Sequence, residues 1–200
     1  MPLQNRVTPF GEIVAVSDRG LFTGNRGIIH DPATRTLLRR RWTTKAWICC
    51  TLDWRGRRRE PMAQQGWTEL FFLDEATAFA AGHRPCFYCR RERATAFRDA
   101  WGKARGIAHS KAPEMDAVLH AERIEHRRKK LHPPGGLPDG TMVAAGAEAY
   151  LMLGGRKRRW RFSGYGAPED VAVDRLITPP SIVAAFAAGY RPALHPSASR

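Results

Sequence analysis

The stretch that decides the fold runs from Asp74 to Arg93 and reads DEATAFAAGHRPCFYCRRER. Asp74 is placed to accept the free amide hydrogens of a first helical turn, and alanine-rich residues follow it. Gly82 is the residue type expected just beyond a helix end, and Pro85 prevents the helix from resuming. A Cys-x-x-Cys knuckle comes next and leads into a basic segment. The stretch therefore predicts a short helix, a stop, a knuckle and a second helix.

A degenerate copy of this stretch lies near the end of the chain. Residues 79–85, FAAGHRP, match residues 186–192, FAAGYRP, at six of seven positions. The second copy has an alanine and a proline where the first has its two knuckle cysteines. The repeat predicts two related halves, 1–132 and 137–196, on either side of a Pro-Pro-Gly-Gly linker. We expect only the first half to bind a metal ion.

Hydrophobic alternation and turn residues predict an α+β fold, in which each half has short antiparallel strands followed by helices. The predicted strands cover 11–16, 27–30, 45–54, 67–73, 141–144, 149–153, 159–163 and 171–178. Strands 45–54 and 67–73 are expected to pair, and 149–153 with 159–163 to form a hairpin around Gly154-Gly155. The predicted helices cover 74–81, 87–105, 113–130 and 181–188, with Ser181 capping the last.

Composition narrows the class of protein. A chain of 200 residues that is 43% hydrophobic can form a real core. It has no apolar run long enough to span a membrane and no apolar segment of the kind found in secretory signals. We therefore expect a cytoplasmic protein with no membrane partner. In that compartment thiols stay reduced, and paired cysteines are more often metal ligands or catalytic groups than disulfides.

Positive charge is concentrated in four windows, 35–60, 84–105, 123–130 and 156–161. These windows hold 26 of the 33 Lys and Arg residues but five of the 19 acidic residues, so they carry +21 while the rest of the chain carries −7. Such segregation is typical of proteins that bind a polyanion, because each neutralised phosphate releases counterions. The expected partner is nucleic acid, with DNA favoured; a generally basic, solvated surface is the alternative.

The basic residues expected to contact nucleic acid fall in three groups. They are Arg57, Arg58 and Arg59 after the first predicted hairpin strand, Arg84, Arg90, Arg91 and Arg93 around the knuckle, and Arg156, Lys157 and Arg158 in the second predicted hairpin. Strand alternation directs Trp160 and Phe162 of that hairpin toward the core and its later arginines toward solvent.

All four cysteines fall within one 41-residue window, as Cys49-Cys50 and then Cys86-x-x-Cys89. Soft thiolates in tetrahedral geometry select zinc, so these four residues are the predicted ligands. Adjacent strand residues point to opposite faces, so Cys49 and Cys50 can share an ion only across a bulge or at a strand end. If one of them does not bind, a histidine is the expected fourth ligand; the candidates are His83, His30 and His109. Buried free thiols or a redox pair are the alternatives.

The segment LFFLDEATAFAAGHRPCFYC resembles the metal-binding N-terminal domain of the Ada family of DNA-alkylation repair proteins, over roughly residues 47–95. In that domain a helix ending in Gly-x-Arg-Pro leads into Cys-x-x-Cys, and two further zinc cysteines lie upstream. The resemblance implies that one upstream cysteine, here Cys49 or Cys50, accepts a methyl group from a methylphosphotriester in DNA. The family separates its two upstream cysteines, whereas they are adjacent here.

Four hypotheses about function follow. The first is a zinc-containing nucleic-acid-binding protein, acting in DNA repair; the second is a zinc-thiolate alkyl acceptor. The third is a nuclease or other hydrolase that uses Asp116 with His120, or His30-Asp31, because such enzymes hold a metal ion with carboxylates and histidines. The fourth is a zinc-stapled interaction module without catalysis. Whether the protein is an enzyme stays open at this level.

Overall fold

A computed structural model describes residues 1–56, 60–126 and 136–199, and in these the chain is α+β, as predicted. The strands are β1 (Gln4–Val7), β2 (Ile13–Ala15), β3 (Phe22–Asn25), β4 (His30–Asp31), β5 (Thr36–Leu37), β6 (Ile48–Thr51), β7 (Leu70–Phe72), β8 (Arg84–Pro85), β9 (Met142–Ala145), β10 (Glu148–Leu153), β11 (Arg156–Arg161), β12 (Gly164–Glu169) and β13 (Arg175–Leu176). The helices are α1 (Glu75–Ala80), α2 (Arg91–Arg105), α3 (Ala112–His126) and α4 (Pro180–Ala187), with a 3-10 helix at Pro196–Ser199.

The first sheet has six strands in the order β2-β1-β7-β3-β6-β8, and it is mixed rather than antiparallel. β1 runs parallel to β7, and β6 runs parallel to β8. The predicted pairing of 45–54 with 67–73 is wrong, because β3 lies between β6 and β7 and bonds to both. A Cβ on Gly24 would lie 2.1 Å from the Ile48 carbonyl oxygen, so only glycine allows this approach. Gly24 and Asn25 are of residue types common in turns, yet both lie inside β3.

The second sheet has five strands in the order β12-β11-β10-β9-β13. The predicted hairpin is confirmed: Leu153 pairs with Arg156, and Gly154 and Gly155 occupy the turn with φ values of 57° and 71°. Positive φ at both central residues matches the right-handed twist of the flanking strands. β11 begins at Arg156, three residues earlier than predicted, so the basic segment belongs to the strand itself.

The two predicted halves share a core. A cluster of buried aromatic and aliphatic side chains combines Phe79 and Phe97 with Ile182, Phe186 and Tyr190. The rings of Phe79 and Phe186 meet edge to face, with centroids 5.2 Å apart. Burial of large aromatic side chains dominates core energetics, so the segments before and after the linker stabilise each other.

The two copies of the repeat end their helices in the same way. The His83 amide donates to the Ala78 carbonyl (2.9 Å), and the Tyr190 amide donates to the Ala185 carbonyl (3.1 Å). Each copy places its glycine at positive φ, 83° in the first and 117° in the second. Reaching back five residues across a glycine in this way closes a helix, so the repeat is structural as well as sequential.

Helix starts differ in how well the sequence predicted them. Asp74 caps α1 as expected, accepting from the Thr77 amide at 2.9 Å. Ser181 does not cap α4, which begins at Pro180; its hydroxyl donates to Glu122 at 2.6 Å. The predicted extension of α3 over 127–130 lies outside the described residues. In the described parts of the chain, no helix combines the length and the apolar character that crossing a membrane requires.

Candidate metal centre

Three sulfur atoms come together where β6 meets the knuckle. Because β6 runs parallel to β8, the Cys86 amide donates to the Cys49 carbonyl at 3.0 Å, and the knuckle folds back over β6. The Sγ atoms of Cys50, Cys86 and Cys89 all lie within 4.8 Å of one another. Tetrahedral coordination with Zn–S bonds of about 2.3 Å would place such sulfurs about 3.8 Å apart. The three cysteines therefore lie close enough together that they could hold a metal ion.

Backbone amides support negative charge on these sulfurs. The Tyr88 amide donates to the Cys86 sulfur at 3.4 Å, and the Thr51 amide contacts the Cys89 sulfur. The Arg90 amide closes the knuckle by donating to the Cys86 carbonyl, and α2 begins one residue later. Hydrogen bonds from amides to sulfur favour the thiolate, which is the form that binds a metal ion.

Hydrogen bonds connect the three thiols to one another. Hydrogen bonds from Cys50 and Cys89 hold the pKa of Cys86 well below its ordinary value. The same contacts with Cys86 and Cys89, together with burial, raise the pKa of Cys50. The Cys89 pKa is also raised, because its contact with Cys86 and its burial outweigh the opposing effect of Cys50. A bound divalent cation would stabilise the thiolate form of all three sulfurs.

Cys49, the fourth predicted ligand, is not brought to the other three. It lies on the opposite face of β6 and is 1% exposed, in a core cluster with Leu70 and Phe72. Burial raises its pKa, although Arg90 donates to its sulfur at 3.4 Å. The predicted set of four cysteines is therefore corrected to three, for the reason that alternation along a strand dictates.

The histidines considered as a fourth ligand lie elsewhere. His83 is fully buried, with its ring 4.6 Å from that of Phe72. His30 bonds to the Thr68 hydroxyl at 2.6 Å, and His109 is exposed on the segment between α2 and α3. Among the described residues, the three cysteines are the one group of metal-ligating side chains close enough to hold an ion.

Two arginines predicted to contact nucleic acid are internal. Arg84 makes a two-pronged ion pair with Asp116, at 2.8 and 2.7 Å, with both side chains buried. Arg90 pairs with the buried carboxylate of Glu75 at 2.8 Å and stacks on Phe22. Because a phosphate cannot displace such buried partners without unpairing a charge, neither arginine belongs to a nucleic-acid surface.

The other predicted arginines and lysine are closer to solvent. Arg91 and Arg156 are exposed, and Arg93 is half-exposed while it pairs with Glu75 at 2.9 Å. On β11, Lys157 donates to the Val171 carbonyl at 2.7 Å and Arg158 to the Gly166 carbonyl at 3.2 Å. The predicted contacts Arg57, Arg58 and Arg59 lie outside the described residues.

Trp54 and Tyr88 form an aromatic pair beside the knuckle that the sequence did not predict. The Trp54 and Tyr88 rings meet at 5.5 Å, Tyr88 is 62% exposed, and Arg55 lies over Trp54 at 5.1 Å. Tyr88 stands between the two knuckle cysteines, and Trp54 follows the strand that carries Cys50. The sequence signal was the aromatic residue inside the Cys-x-x-Cys motif, but its partner could not be found from spacing.

The residues of the hydrolase hypothesis have other partners in the fold. Asp116 is held by Arg84, and His30 is held by Thr68. His120 lies edge-on to Trp42, and burial and neighbouring cations lower its pKa. In the described residues these groups do not form a cluster of metal ligands.

Comparison of the chain with protein-family models, with curated proteins and with solved structures finds no match.

Proposed function

We propose that the protein binds zinc through Cys50, Cys86 and Cys89 and binds nucleic acid, with DNA as the expected ligand, on the basic surface beside them. The observation that carries the proposal is the meeting of three sulfurs from two separate elements. Thiolates that share one soft cation converge in this way, whereas a redox pair would need only two cysteines.

The donor set fits a zinc site with one position left open. Three thiolates match the ligand type that zinc prefers, and catalytic zinc sites commonly have three protein ligands. Cys50 and Cys89 are half-buried, so solvent or a ligand can approach the sulfurs. When bound, zinc would keep the sulfurs deprotonated at neutral pH; this chain's own residues position them through the Tyr88 and Thr51 amides.

Charge and stacking surfaces support nucleic acid as the partner. Arg91 follows the knuckle on the first turn of α2, and the exposed Tyr88 ring offers a face on which a base can stack. Aromatic side chains next to cations are how proteins hold single strands and unpaired bases. The segregated +21 charge of the four basic windows supplies the phosphate attraction.

Metal content of single-cysteine variants tests the zinc site. Wild-type protein purified without chelator is expected to hold one zinc per chain by elemental analysis. Cys50→Ser should lose most of it, because one of three ligands is gone, while Cys49→Ser on the opposite face of the same strand should keep it. Equal metal content in Cys50→Ser and wild type, or loss in Cys49→Ser alone, would contradict the ligand set.

Salt-dependent DNA binding tests the partner. Anisotropy of a labelled single strand should give an affinity that falls steeply with salt. Arg91→Gln should weaken binding and reduce the salt slope by about 0.7 to 0.9. Lys111→Gln is the matched control, because Lys111 is exposed but lies outside the four basic windows. Binding that is absent at low salt, or equally affected by both variants, would remove the proposal.

A second candidate function is alkyl acceptance by Cys50. Cys50 is half-buried at the sulfur cluster, whereas Cys49 is buried in the core. Cys50 is therefore the better candidate for the acceptor thiolate. Its sulfur would attack the methyl carbon of a methylphosphotriester, the carbon–oxygen bond would break, and the phosphodiester anion would leave. Mass spectrometry after incubation with methylated DNA should find one added methyl group on the Cys50 peptide. An unmodified Cys50 in zinc-loaded protein would exclude the transfer.

A further inference from the structure

A cavity of about 220 Å³ lies where the two halves meet, away from the sulfur cluster's own residues. Five segments of the chain contribute to its wall. They are the turn between β1 and β2, Trp47 before β6, the end of α1, Arg123 on α3, and β13 with Ile177 and Pro179 after it. Two of these lining side chains are cationic and none is acidic.

Arg123 lies in this wall with part of its hydrogen-bonding capacity unused. Its guanidinium stacks on Trp47 at 4.2 Å. Its Nε donates to the Gly82 carbonyl at 3.1 Å, and its two terminal nitrogens donate to the Lys45 carbonyl at 3.3 and 3.2 Å. A guanidinium has five N–H donors, so two remain for a ligand.

Arg175 contributes the second cation. Its guanidinium lies over the Phe10 ring at 5.8 Å. Its Nε donates to Asp174 at 3.2 Å, and a terminal nitrogen donates to the Gly146 carbonyl. Three donors therefore remain, and the side chain is 38% exposed, so a ligand in the cavity can reach them.

A further cation lies behind the wall of the cavity. Arg26, fully buried, stacks on Trp47 at 4.0 Å, so this indole contacts two guanidiniums. Burial lowers the pKa of Arg123 to about 9 even though Asp116 opposes the shift. Burial, Arg26 and Arg123 also lower the pKa of His83, which keeps that ring neutral. An anion in the cavity would offset the cost of holding these cations away from water.

The fold prepares the position of Arg123. A Cβ on Gly82 would lie 2.8 Å from both the Cγ and the Nε of Arg123, so the absence of a side chain at Gly82 makes room for the arginine. The corresponding glycine of the second repeat copy, Gly189, has nothing within 4 Å of such a Cβ. In the first copy, Gly82 therefore both ends a helix and leaves room for the Arg123 side chain.

We propose that this cavity binds a nucleoside monophosphate, with the phosphate between Arg123 and Arg175 and the base against Phe10, Ile177 and Pro179. A phosphomonoester carries nearly two negative charges at neutral pH and so matches two guanidiniums, whose forked donors suit its oxygens. The volume of about 220 Å³ lies below the ~300 to 1,000 Å³ of sites that enclose a drug-sized ligand, so one mononucleotide would fill the cavity and extend beyond it. The nucleotide is free or is the 5′-phosphorylated end of a strand, since both present the same chemistry.

Calorimetric titration of the full chain with 5′-AMP, with adenosine and with inorganic phosphate tests this inference. 5′-AMP is expected to bind at least tenfold more tightly than adenosine, because charge-assisted hydrogen bonds to two arginines are lost without the phosphate. Arg175→Gln should reduce the affinity about tenfold or more. Arg19→Gln is the matched control, because Arg19 is exposed, lies outside the four basic windows and does not line the cavity. Oligonucleotides with and without a 5′ phosphate are then used as competitors of 5′-AMP. If only the phosphorylated strand competes, the site binds strand ends. If neither strand competes, the site binds free nucleotide.

The inference is independent of the zinc and DNA proposal. Arg175→Gln should weaken 5′-AMP binding about tenfold or more while leaving the metal content unchanged, whereas Cys50→Ser should lower the metal content and leave 5′-AMP binding unchanged. Arg123→Gln is a second variant, read by circular dichroism for folding before its affinity is measured. Equal affinities for 5′-AMP and adenosine, or wild-type 5′-AMP affinity in Arg175→Gln, would overturn the assignment.

Discussion

Glu75 provides the sharpest test of how this fold is held together. Its carboxylate is fully buried and accepts four hydrogen bonds, from Arg90 (2.8 Å), Arg93 (2.9 Å), the Tyr190 hydroxyl (2.8 Å) and the Ala193 amide (2.8 Å). Glu75→Gln removes the charge and turns an NH₂ group toward two of these donors. Removing one partner of a buried ion pair costs about 3 to 5 kcal/mol. The pair with Arg93 adds little to this figure, because that side chain is 40% exposed and its charge is screened.

Chemical denaturation of Glu75→Gln and wild type measures this difference directly. In a chain of this length, 3 to 5 kcal/mol corresponds to a fall in melting temperature of about 6 to 20 °C. Asp170→Asn is the matched control: it makes the same carboxylate-to-amide change in an exposed ion pair with Lys157, and should leave the stability unchanged within error. If Glu75→Gln were as stable as Asp170→Asn, the carboxylate would not be the link between the two halves, and the reasoning would fail.

Two further substitutions probe the repeat and the packing of α3 against α4. Gly82→Ala should destabilise the protein by at least about 1 kcal/mol more than Gly189→Ala. Both substitutions force alanine to positive φ, but only the first also displaces Arg123. Equal unfolding free energies for the two variants would contradict the close packing of Arg123 against Gly82. Glu122 accepts from the Ser181 amide and hydroxyl, and burial raises its pKa above the ordinary 4.5. Since the folded state then holds this proton more tightly than the unfolded state, stability from this group is present below pH 4.5 and is lost as pH rises through the folded pKa. Glu122→Gln should remove that decline from a pH series of denaturation curves, and a curve that keeps the wild-type shape would contradict it.

Local signals predicted the elements whose structure is local. Asp74 and Gly82 marked the ends of α1 because caps act within one turn of the chain. The Gly154-Gly155 turn fixed the register of β10 and β11 for the same reason. In each case the residue type and the backbone conformation that it favours are adjacent in sequence.

The order of the first sheet could not be predicted in this way. β3 contains a Gly-Asn pair that favours a turn, and its strand conformation is imposed by hydrogen bonds to β6 and β7 on either side. Tertiary pairing overrides weak strand propensity. The cavity was missed for a related reason: Arg123 and Arg175 lie on different elements of different halves, and only the packing of those halves brings them to one wall.

The adjacent cysteines show how far a spacing argument reaches. Alternation along a strand was sufficient to say that Cys49 and Cys50 face opposite ways, but not which one faces the knuckle. That choice is made by the core: the face of β6 that packs against Leu70 and Phe72 takes Cys49, and the other face is left for the knuckle. The register of β6 relative to the buried face determines which cysteine can bind the metal, and this register cannot be read from a single sequence.

The second repeat copy lacks the cysteines but supplies hydrogen-bond donors to the first copy. After its shared helix end, the chain does not form a knuckle but runs back across the first copy, where the Ala193 amide bonds to Glu75 and the His195 amide to Asp74. Tyr190, which replaces the histidine of the first copy, adds its hydroxyl to Glu75. The start of α1 thus carries two buried carboxylates, and the second copy supplies three of their hydrogen-bond donors, Tyr190, Ala193 and His195. Burying a carboxylate without such donors costs free energy. The half without cysteines therefore stabilises the half that has them, and the two halves depend on each other for stability.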